Sequence, residues 1–405
     1  MKLAIVTAYP PSKVTLNEYA YHLVKHFRQR EGVKEIVLLT DRIKGEKDIE
    51  FTETGCKITV RECWAFNSYK NIFSVTKAIN ETKPDSVLFN LDFTKFGDKK
   101  VATALSLMLP LVCKLKKIPN IVLLHNILET VDLESVGFKS NYKWIQRIYG
   151  FIGRTFTRLI LKADVVVVTM KKYVAILEEK YQAKNVKMIP HGTFEILEEP
   201  AYKVPLKPFK VLAFGKFGTY KKVESLIEAI EKIRKFSNLN LEIVIAGTDS
   251  PNALGYLESV KEKYNHVNGL TFTGYVKEQD VPRLFKESAL VVFPYMSTAG
   301  SSGVLHQAGS YGKAVVMPNL GDLTLLAKEQ GYRGEFFDLD CVYSLALALQ
   351  KILENNAYRV ELERANYKAA TAYSMSRITN MYLNTFQSII LKKEKEKLQQ
   401  EQVIA

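Results

Sequence analysis

Short unbroken apolar runs recur along this 405-residue chain, most of them separated by helix-length amphipathic segments. LAIVTA (3–8), EIVLLT (35–40), SVLFNL (86–91), NIVLLH (120–125) and DVVVVT (164–169) form a first series. Runs without alternation predict strands buried on both faces, hence a parallel sheet covered by helices. Residues 192–208 (GTFEILEEPAYKVPLKP) break the rhythm with three prolines and mixed charge, and a domain linker is placed there. The series then restarts with KVLAFG (210–215), LEIVIAG (241–247), LTFTGY (270–275), LVVFPY (290–295) and AVVMPN (314–319). A last helix is predicted over about 357–391, followed by a charged tail, KKEKEKLQQEQ (392–402), read as frayed or as an exposed helix end. The pattern is that of two consecutive α/β units, and in open α/β sheets ligands bind beyond the carboxyl ends of the strands.

Composition narrows this picture. A chain of 405 residues suits two domains, and 47% hydrophobic with 25% charged residues is the balance of a soluble globular protein. The opening MKLAIVTAYP is too short in apolar residues for a signal peptide, and no apolar stretch reaches the ~18–20 residues of a membrane span. Cys56, Cys63, Cys113 and Cys341 are scattered without zinc or Cys-x-x-Cys spacing, which predicts reduced thiols and a cytoplasmic protein. The net charge of +14 suits phosphorylated small molecules or anionic lipid. Nucleic acid is not expected, because no RNA-recognition signature, zinc finger or helix-turn-helix is present.

Candidate chemistry concentrates in the second unit. The turn GKFGTYKK (215–222) combines Gly215 and Gly218 with Lys216, Lys221 and Lys222. Such cations at a strand end suit a diphosphate leaving group, on which negative charge grows as its bond breaks; a solvated lysine cluster is the plainer reading. In FPYMSTAGSSGVLHQAGSYGKAVVMP (293–318), the loop Ser297–Gly303 holds two glycines and three serines and leads into a helix. Free amides beside a helix N-terminus make an anion site, and Gln307, one turn inside, can hydrogen-bond a ribose. The plainer reading is serine capping. Asp338-Leu-Asp340 has the look of a metal-binding pair, but Asp340 as a helix N-cap is preferred and no metal is expected. Residues 137–163 carry six Lys/Arg and no acid, with Trp144, Ile148, Phe151, Ile152, Phe156 and Leu159 at helical spacing. That segment fits either an anionic membrane surface or an ordinary domain helix with a basic face.

In this order and spacing, LAIVTAYPP, LLHN (123–126), ADVVVV (163–168), KMIPHG (187–192), FGKFGTYKKVESLIEA (214–229), IVIAG (243–247), FTGYVKEQDVPRLFKESALVVFPY (272–295) and QAGSYGKAVVMP (307–318) resemble the retaining GT-B glycosyltransferases of family 4, the glycosyl transferases group 1. The resemblance covers about residues 1–390. It implies an α/β GT-B fold: two Rossmann-like parallel-sheet domains facing a central cleft, with an acceptor-side domain over 1–200 and a nucleotide-sugar domain over 206–372. A helix over 373–391 would cross back to the N-terminal domain through Tyr382, Leu383 and Phe386, leaving a charged tail at 392–405. By the same resemblance Lys216 and Lys221 hold the donor diphosphate, with the amides of Ser301, Ser302 and Gly303. Gln307 holds the ribose, Gly274 and Tyr275 lie near the base, His125 is a catalytic-site histidine near the transferred sugar, and Ser12 and Lys13 belong to the acceptor-side loop. The chain departs from the family where Ala299 replaces the first glutamate of Glu-x7-Glu and Gln307 the second. The loop 10–19 also lacks a glycine pair, and Lys222 follows Lys221 in place of glycine.

The resemblance thus implies a metal-independent retaining hexosyltransferase acting from a nucleoside diphosphate sugar on the hydroxyl of a glycan or lipid-linked acceptor. It would be cytoplasmic or peripheral on the inner membrane face, in cell-surface glycan or glycolipid synthesis, with no cofactor. A non-catalytic GT-B module, or a partner subunit of an active transferase, is the alternative. An NAD(P) oxidoreductase is disfavoured, since neither unit has Gly-x-Gly-x-x-Gly after its first strand.

Overall fold

The structure, a computed structural model, describes residues 1–12, 14–43, 54–93, 95–130, 143–298 and 300–404, with the side chains of 143–149 and 402–404 outside the description. The chain forms two compact units, Met1–His191 with Met375–Ala405, and Gly192–Ser374.

The first unit is built on β1 (Lys2–Val6), β2 (Glu35–Asp41), β3 (Lys57–Trp64), β4 (Ser86–Leu91), β5 (Asn120–Leu124), β6 (Val165–Val168) and β7 (Val186–Met188). They lie side by side in the order β3-β2-β1-β4-β5-β6-β7, all parallel. Every residue of β4 and β5 is buried, as the unbroken apolar runs require. β3 and β7 were not anticipated from sequence. β3 (KITVRECW) alternates polar and apolar residues because it is an edge strand with a half-exposed face, and β7 has only three residues.

The second unit contains β8 (Phe209–Phe217), β9 (Leu241–Asp249), β10 (Leu270–Phe272), β11 (Ser288–Val292), β12 (Val315–Pro318) and β13 (Gly334–Phe337), in the order β10-β9-β8-β11-β12-β13 and again parallel. Its core joins Val211, Ala213, Ile243, Ile245, Leu290 and Val316 to the apolar faces of helices Glu224–Phe236 and Val342–Glu354. In both sheets the strand order reverses at the first strand, next to β4 and β11 respectively. That reversal opens a crevice at the strand ends on which ligands are received.

Two expectations need correction. The single helix predicted over 357–391 is two helices, Asn356–Ala372 and Met375–Ile404. The break comes where the Tyr373 carbonyl accepts a hydrogen bond from the Thr193 amide (2.8 Å) and Ser374 bridges Thr193, so this backbone is diverted from helix pairing. The tail is the exposed helix end that was one of its two readings: it continues the second of these helices, helped by the i,i+4 pairs Lys392–Glu396 and Lys397–Glu401. Within the first unit the helix Met375–Ile404 packs on helix Asn17–Arg28, with Tyr382 and Phe386 fully buried and Leu383 half-buried. Arg30 donates to Ser376, and Lys393 pairs with Asp164 at 2.7 Å. Asp340 is not an N-cap. It adopts a left-handed backbone (φ 58°), and the next residue caps helix Val342–Glu354, the Cys341 sulfur accepting from the Ser344 amide.

Candidate active site

The loop after β8 and the loop after β11 are tied into a short antiparallel ladder. Lys221 bridges Tyr295, the Lys222 amide donates to the Pro294 carbonyl (2.9 Å), and the Met296 amide donates to the Tyr220 carbonyl (2.7 Å). This ladder brings a turn lysine and a serine–glycine loop together although some 80 positions separate them. Tyr220, Lys221, Tyr295, Thr298, Gly300, Ser301, Ser302, Gly303, Val304 and Leu323 line one cavity of about 100 Å3.

Lys221 is 8% exposed. Burial lowers the pKa of its ammonium, opposed in part by the Tyr220 phenol, and among the described residues no carboxylate pairs with it. Its Nζ lies 4.6 Å from the Tyr295 ring centroid and 5.7 Å from that of Tyr220, contacts that favour a cation. Gly215, at φ 137°, makes room for it: a Cβ there would stand 2.7 Å from Nζ. A desolvated cation without a counter-ion is a site that gains from an anion.

The serine loop is fixed from below. The Gly300 amide donates to Asp322 Oδ2 (3.2 Å) and the Leu323 amide to Thr298 Oγ1 (3.4 Å). Ser302 is the N-cap of helix Gly303–Ser310, its hydroxyl accepting from the Leu305 amide. Ser301 Oγ lies 3.1 Å from His306 Nε2, and His306 Nδ1 lies 2.8 Å from the Tyr332 hydroxyl. The loop therefore presents its amides and the helix N-terminus beside Lys221, an arrangement suited to phosphate oxygens.

Other sequence candidates fall outside this cavity. Lys216 is exposed near the end of β8, beside Thr248 of β9. Gln307 is half-buried on the helix one turn inside the loop. Gly274 bridges Gly247 at the end of β9, and Tyr275 is 79% exposed. Lys13 and Ala299 lie outside the described residues, as do 137–142 of the basic segment; the rest of that segment forms helix Lys143–Ile160, where Phe151, Arg154 and Arg158 are exposed. Among the described residues no helix is long and apolar enough to cross a membrane, and no group of three metal-ligating side chains is formed.

In the first unit His125 follows β5. Its ring meets Tyr19 edge-on at 4.5 Å and lies 5.8 Å from the ring of His191. Burial, then the charges of His191 and Lys95, hold its pKa well below the usual histidine value. Ser12 is buried and donates to Asp41 Oδ2 (2.7 Å), while Thr15 donates to Asp92 (2.7 Å) and Lys95 Nζ to the Thr15 carbonyl (2.7 Å). Burial brings the Lys95 pKa down to about 8 against the pull of Asp92 and Asp41. Sequence reasoning missed this locking of the loop, and also Tyr295, Thr298, His306 and Asp322; only FPY (293–295) at a strand end was a visible signal. A larger hollow, about 400 Å3 between Lys83, Pro84, Lys116 and Ile118, lies at the amino ends of β4 and β5, away from these groups.

Residues 208–355 match the family described as Glycosyl transferases group 1. No curated protein sequence matches. Among solved structures, sucrose-phosphate synthase from Thermosynechococcus elongatus is similar at 16% identity, covering 97% of this chain and 100% of that one, with a TM-score of 0.71. HepE of Anabaena, solved in complex with UDP-glucose, is similar at 15% identity over 96% of this chain and 100% of that one, TM-score 0.65. WaaG, a glycosyltransferase involved in lipopolysaccharide biosynthesis, is similar at 14% identity over 95% and 99%, TM-score 0.62. The fold of the chain is GT-B, and the family resemblance read from the sequence is carried by residues 208–355.

Proposed function

We propose that this chain, a group 1 glycosyl transferase over residues 208–355 and GT-B in fold throughout, transfers a hexose from a nucleoside diphosphate sugar to an acceptor hydroxyl with retention. The observation that carries the reading is the cavity in which a buried Lys221, with no carboxylate partner among the described residues, meets the loop Ser301–Gly303. As the sugar bond breaks, charge accumulates on the leaving diphosphate. A cation and amides already fixed in a desolvated pocket stabilise it without reorganising. Lys216 would add charge at the rim, Gln307 would hold the ribose, and Gly274 and Tyr275 would flank the base. His125 would contact the transferred sugar, and the loop carrying Ser12 and Lys13 the acceptor. The UDP and UDP-glucose complexes of a structural neighbour support a nucleotide-sugar donor. In this reading no metal is used, because lysine and amides supply the neutralising charge.

The test is donor hydrolysis and transfer with a panel of nucleoside diphosphate sugars, with and without EDTA. Turnover that survives the chelator is expected. Binding of donor without turnover would favour a non-catalytic module, and abolition by EDTA would point back to Asp338 and Asp340. Peripheral attachment to anionic membrane through 137–163 belongs to the same proposal, supported by Phe151 at 60% exposure on a helix that also exposes Arg154 and Arg158. Arg154→Glu with Arg158→Glu should then reduce flotation with anionic vesicles, and unchanged flotation would refute the attachment.

A further inference from the structure

A line of side chains connects the anion cavity to the interior of the second unit. Ser301 belongs to the cavity lining, and its Oγ lies 3.1 Å from His306 Nε2. His306 Nδ1 lies 2.8 Å from the Tyr332 hydroxyl, which is bonded in turn to the Thr193 side chain. His306, Tyr332 and Thr193 are all buried. Gly309 leaves the room that the Tyr332 ring takes, since a Cβ there would stand 2.7 Å from Tyr332 Cε1. A helix packed for burial alone would carry an apolar residue at position 306, whereas a histidine there needs its ring nitrogens paired.

The direction of the bonds follows from the buried end. The Thr193 hydroxyl donates its one hydrogen to the Ala370 carbonyl (2.8 Å), so toward Tyr332 it can only accept. Tyr332 donates to Thr193, and its oxygen is left to accept from His306 Nδ1. In the neutral ring Nε2 is then unprotonated and accepts the hydrogen of Ser301. The empty site turns the Ser301 lone pairs toward the cavity, the wrong polarity for a phosphate oxygen. A proton on Nε2 reverses this. An imidazolium donates from both nitrogens, so Nε2–H points at Ser301 Oγ and the serine hydrogen is released to the cavity.

Several titratable and charged groups stand on the elements around the ring. Lys221 and Tyr295 line the cavity, Asp322 accepts from the Gly300 amide, and Tyr332 follows helix Gly321–Gln330. Helix Asn356–Ala372, which packs on helix Gly303–Ser310, brings Arg359 and Glu363 and ends at Tyr373. Arg359 pairs with Glu363, and Lys313 is held by the carbonyls of Lys286 and Ser288. Tyr295 and Tyr332 remain phenols, since burial raises both pKa values. Asp322 favours an imidazolium, while burial and Lys221 oppose it as long as the cavity is empty. An anion beside Lys221 and Ser301 removes that opposition.

We propose that Thr193, Tyr332 and His306 are positioning residues for the Ser301 hydroxyl, and that a diphosphate binds this cavity together with one proton, taken up on His306 Nε2. This rests on the donor reading above. The proton passes from solvent to the Nε2 lone pair, and Ser301 keeps its own hydrogen, which turns from Nε2 to a phosphate oxygen. Affinity then rises as pH falls, by up to about tenfold per unit between the pKa of the ring in the empty protein and its higher value in the complex.

The experiment uses the full chain with 15N-labelled histidine, the His306 signals being assigned by their loss in His306→Gln. At mildly alkaline pH the empty protein should show a protonated Nδ1 and an unprotonated Nε2. Saturation with UDP-glucose or inorganic pyrophosphate should protonate both. A protonated Nε2 in the empty protein, or nitrogens unmoved by bound ligand, overturns the proposal. Tyr332→Phe keeps the ring and removes the acceptor of Nδ1, so the folded variant should lose the fixed tautomer; an unaltered tautomer overturns the relay. Titration calorimetry with UDP-glucose, whose two phosphates are both esterified and do not titrate near neutrality, reads the linkage. Wild-type affinity should climb with falling pH relative to His306→Gln, a comparison that cancels any titration of Lys221, and parallel profiles overturn it. If pyrophosphate binds and UDP-glucose does not, the donor reading falls and the ring nitrogens still decide the proton; if neither binds, both fall.

Discussion

Lys221→Met separates two roles that a buried lysine can play. The ammonium is 8% exposed, and burial lowers its pKa from 10.5. Between the folded value and 10.5 the unfolded chain binds the proton that the folded chain has lost, so stability rises with pH across that window. Below it the charged lysine detracts from the stability of the empty protein, although its contacts with Tyr295 and Tyr220 offset part of that. Methionine keeps most of the apolar stem and removes the charge. The empty Lys221→Met protein should thus melt no lower than wild type at neutral pH. Its affinity for UDP should fall, because hydrogen bonds to charged groups contribute about 1.5–3 kcal/mol, a factor of roughly 10–150. Uridine lacks the diphosphate and should bind both proteins alike. Titration calorimetry with UDP and with uridine reads the affinities, and thermal melts read the rest. At a ligand concentration of about 100 times the dissociation constant, stabilisation is about 2.7 kcal/mol, and a tenfold weaker site would retain about half of it. Equal losses for UDP and uridine, or a lower melting point with undiminished UDP affinity, would refute the assignment.

Gln307→Ala should raise the dissociation constant of a ribonucleotide by roughly 5–10-fold, the scale of one neutral hydrogen bond, and at least one of the 2′-deoxy and 3′-deoxy forms should feel the change less. Unchanged ratios across the three nucleotides would remove Gln307 from the ribose. Phe386→Ala, at a fully buried position of the last helix, should destabilise the first unit by about 3–5 kcal/mol in urea unfolding; a change below ~1 kcal/mol would show that this helix is not a core element. Because the His125 pKa lies well below 6.5 in the folded protein, the unfolded chain binds more protons between the two values, and stability should decline as pH falls below 6.5. His125→Gln should flatten that part of the urea midpoint–pH curve, and an unaltered slope would contradict the histidine's depressed pKa.

The strands that the sequence discloses are those whose local and tertiary demands agree. Runs such as VVVV (165–168) and NIVLL (120–124) are dominated by apolar residues because both faces of a parallel strand are covered, a condition written into the residue types. The loop Ser297–Gly303 was legible as a loop for a similar reason: glycine and serine crowd where the chain turns into the helix that Ser302 caps. β3 escaped, since an edge strand meets water on one face and needs no unbroken apolar run. The end of helix Asn356–Ala372 escaped too, because nothing within residues 373–374 breaks a helix; it stops where Thr193, about 180 positions earlier, claims the backbone. The same holds for the chemistry. Residue types announce that Lys221 and His125 can bind and donate, but the lack of a carboxylate partner for Lys221 among the described residues, and the Asn90 amide that stands beside His125 Nε2, follow from groups that only folding brings near. Charge state and hydrogen-bond direction depend on what surrounds a side chain within a few ångströms, and that neighbourhood is assembled from distant parts of the chain.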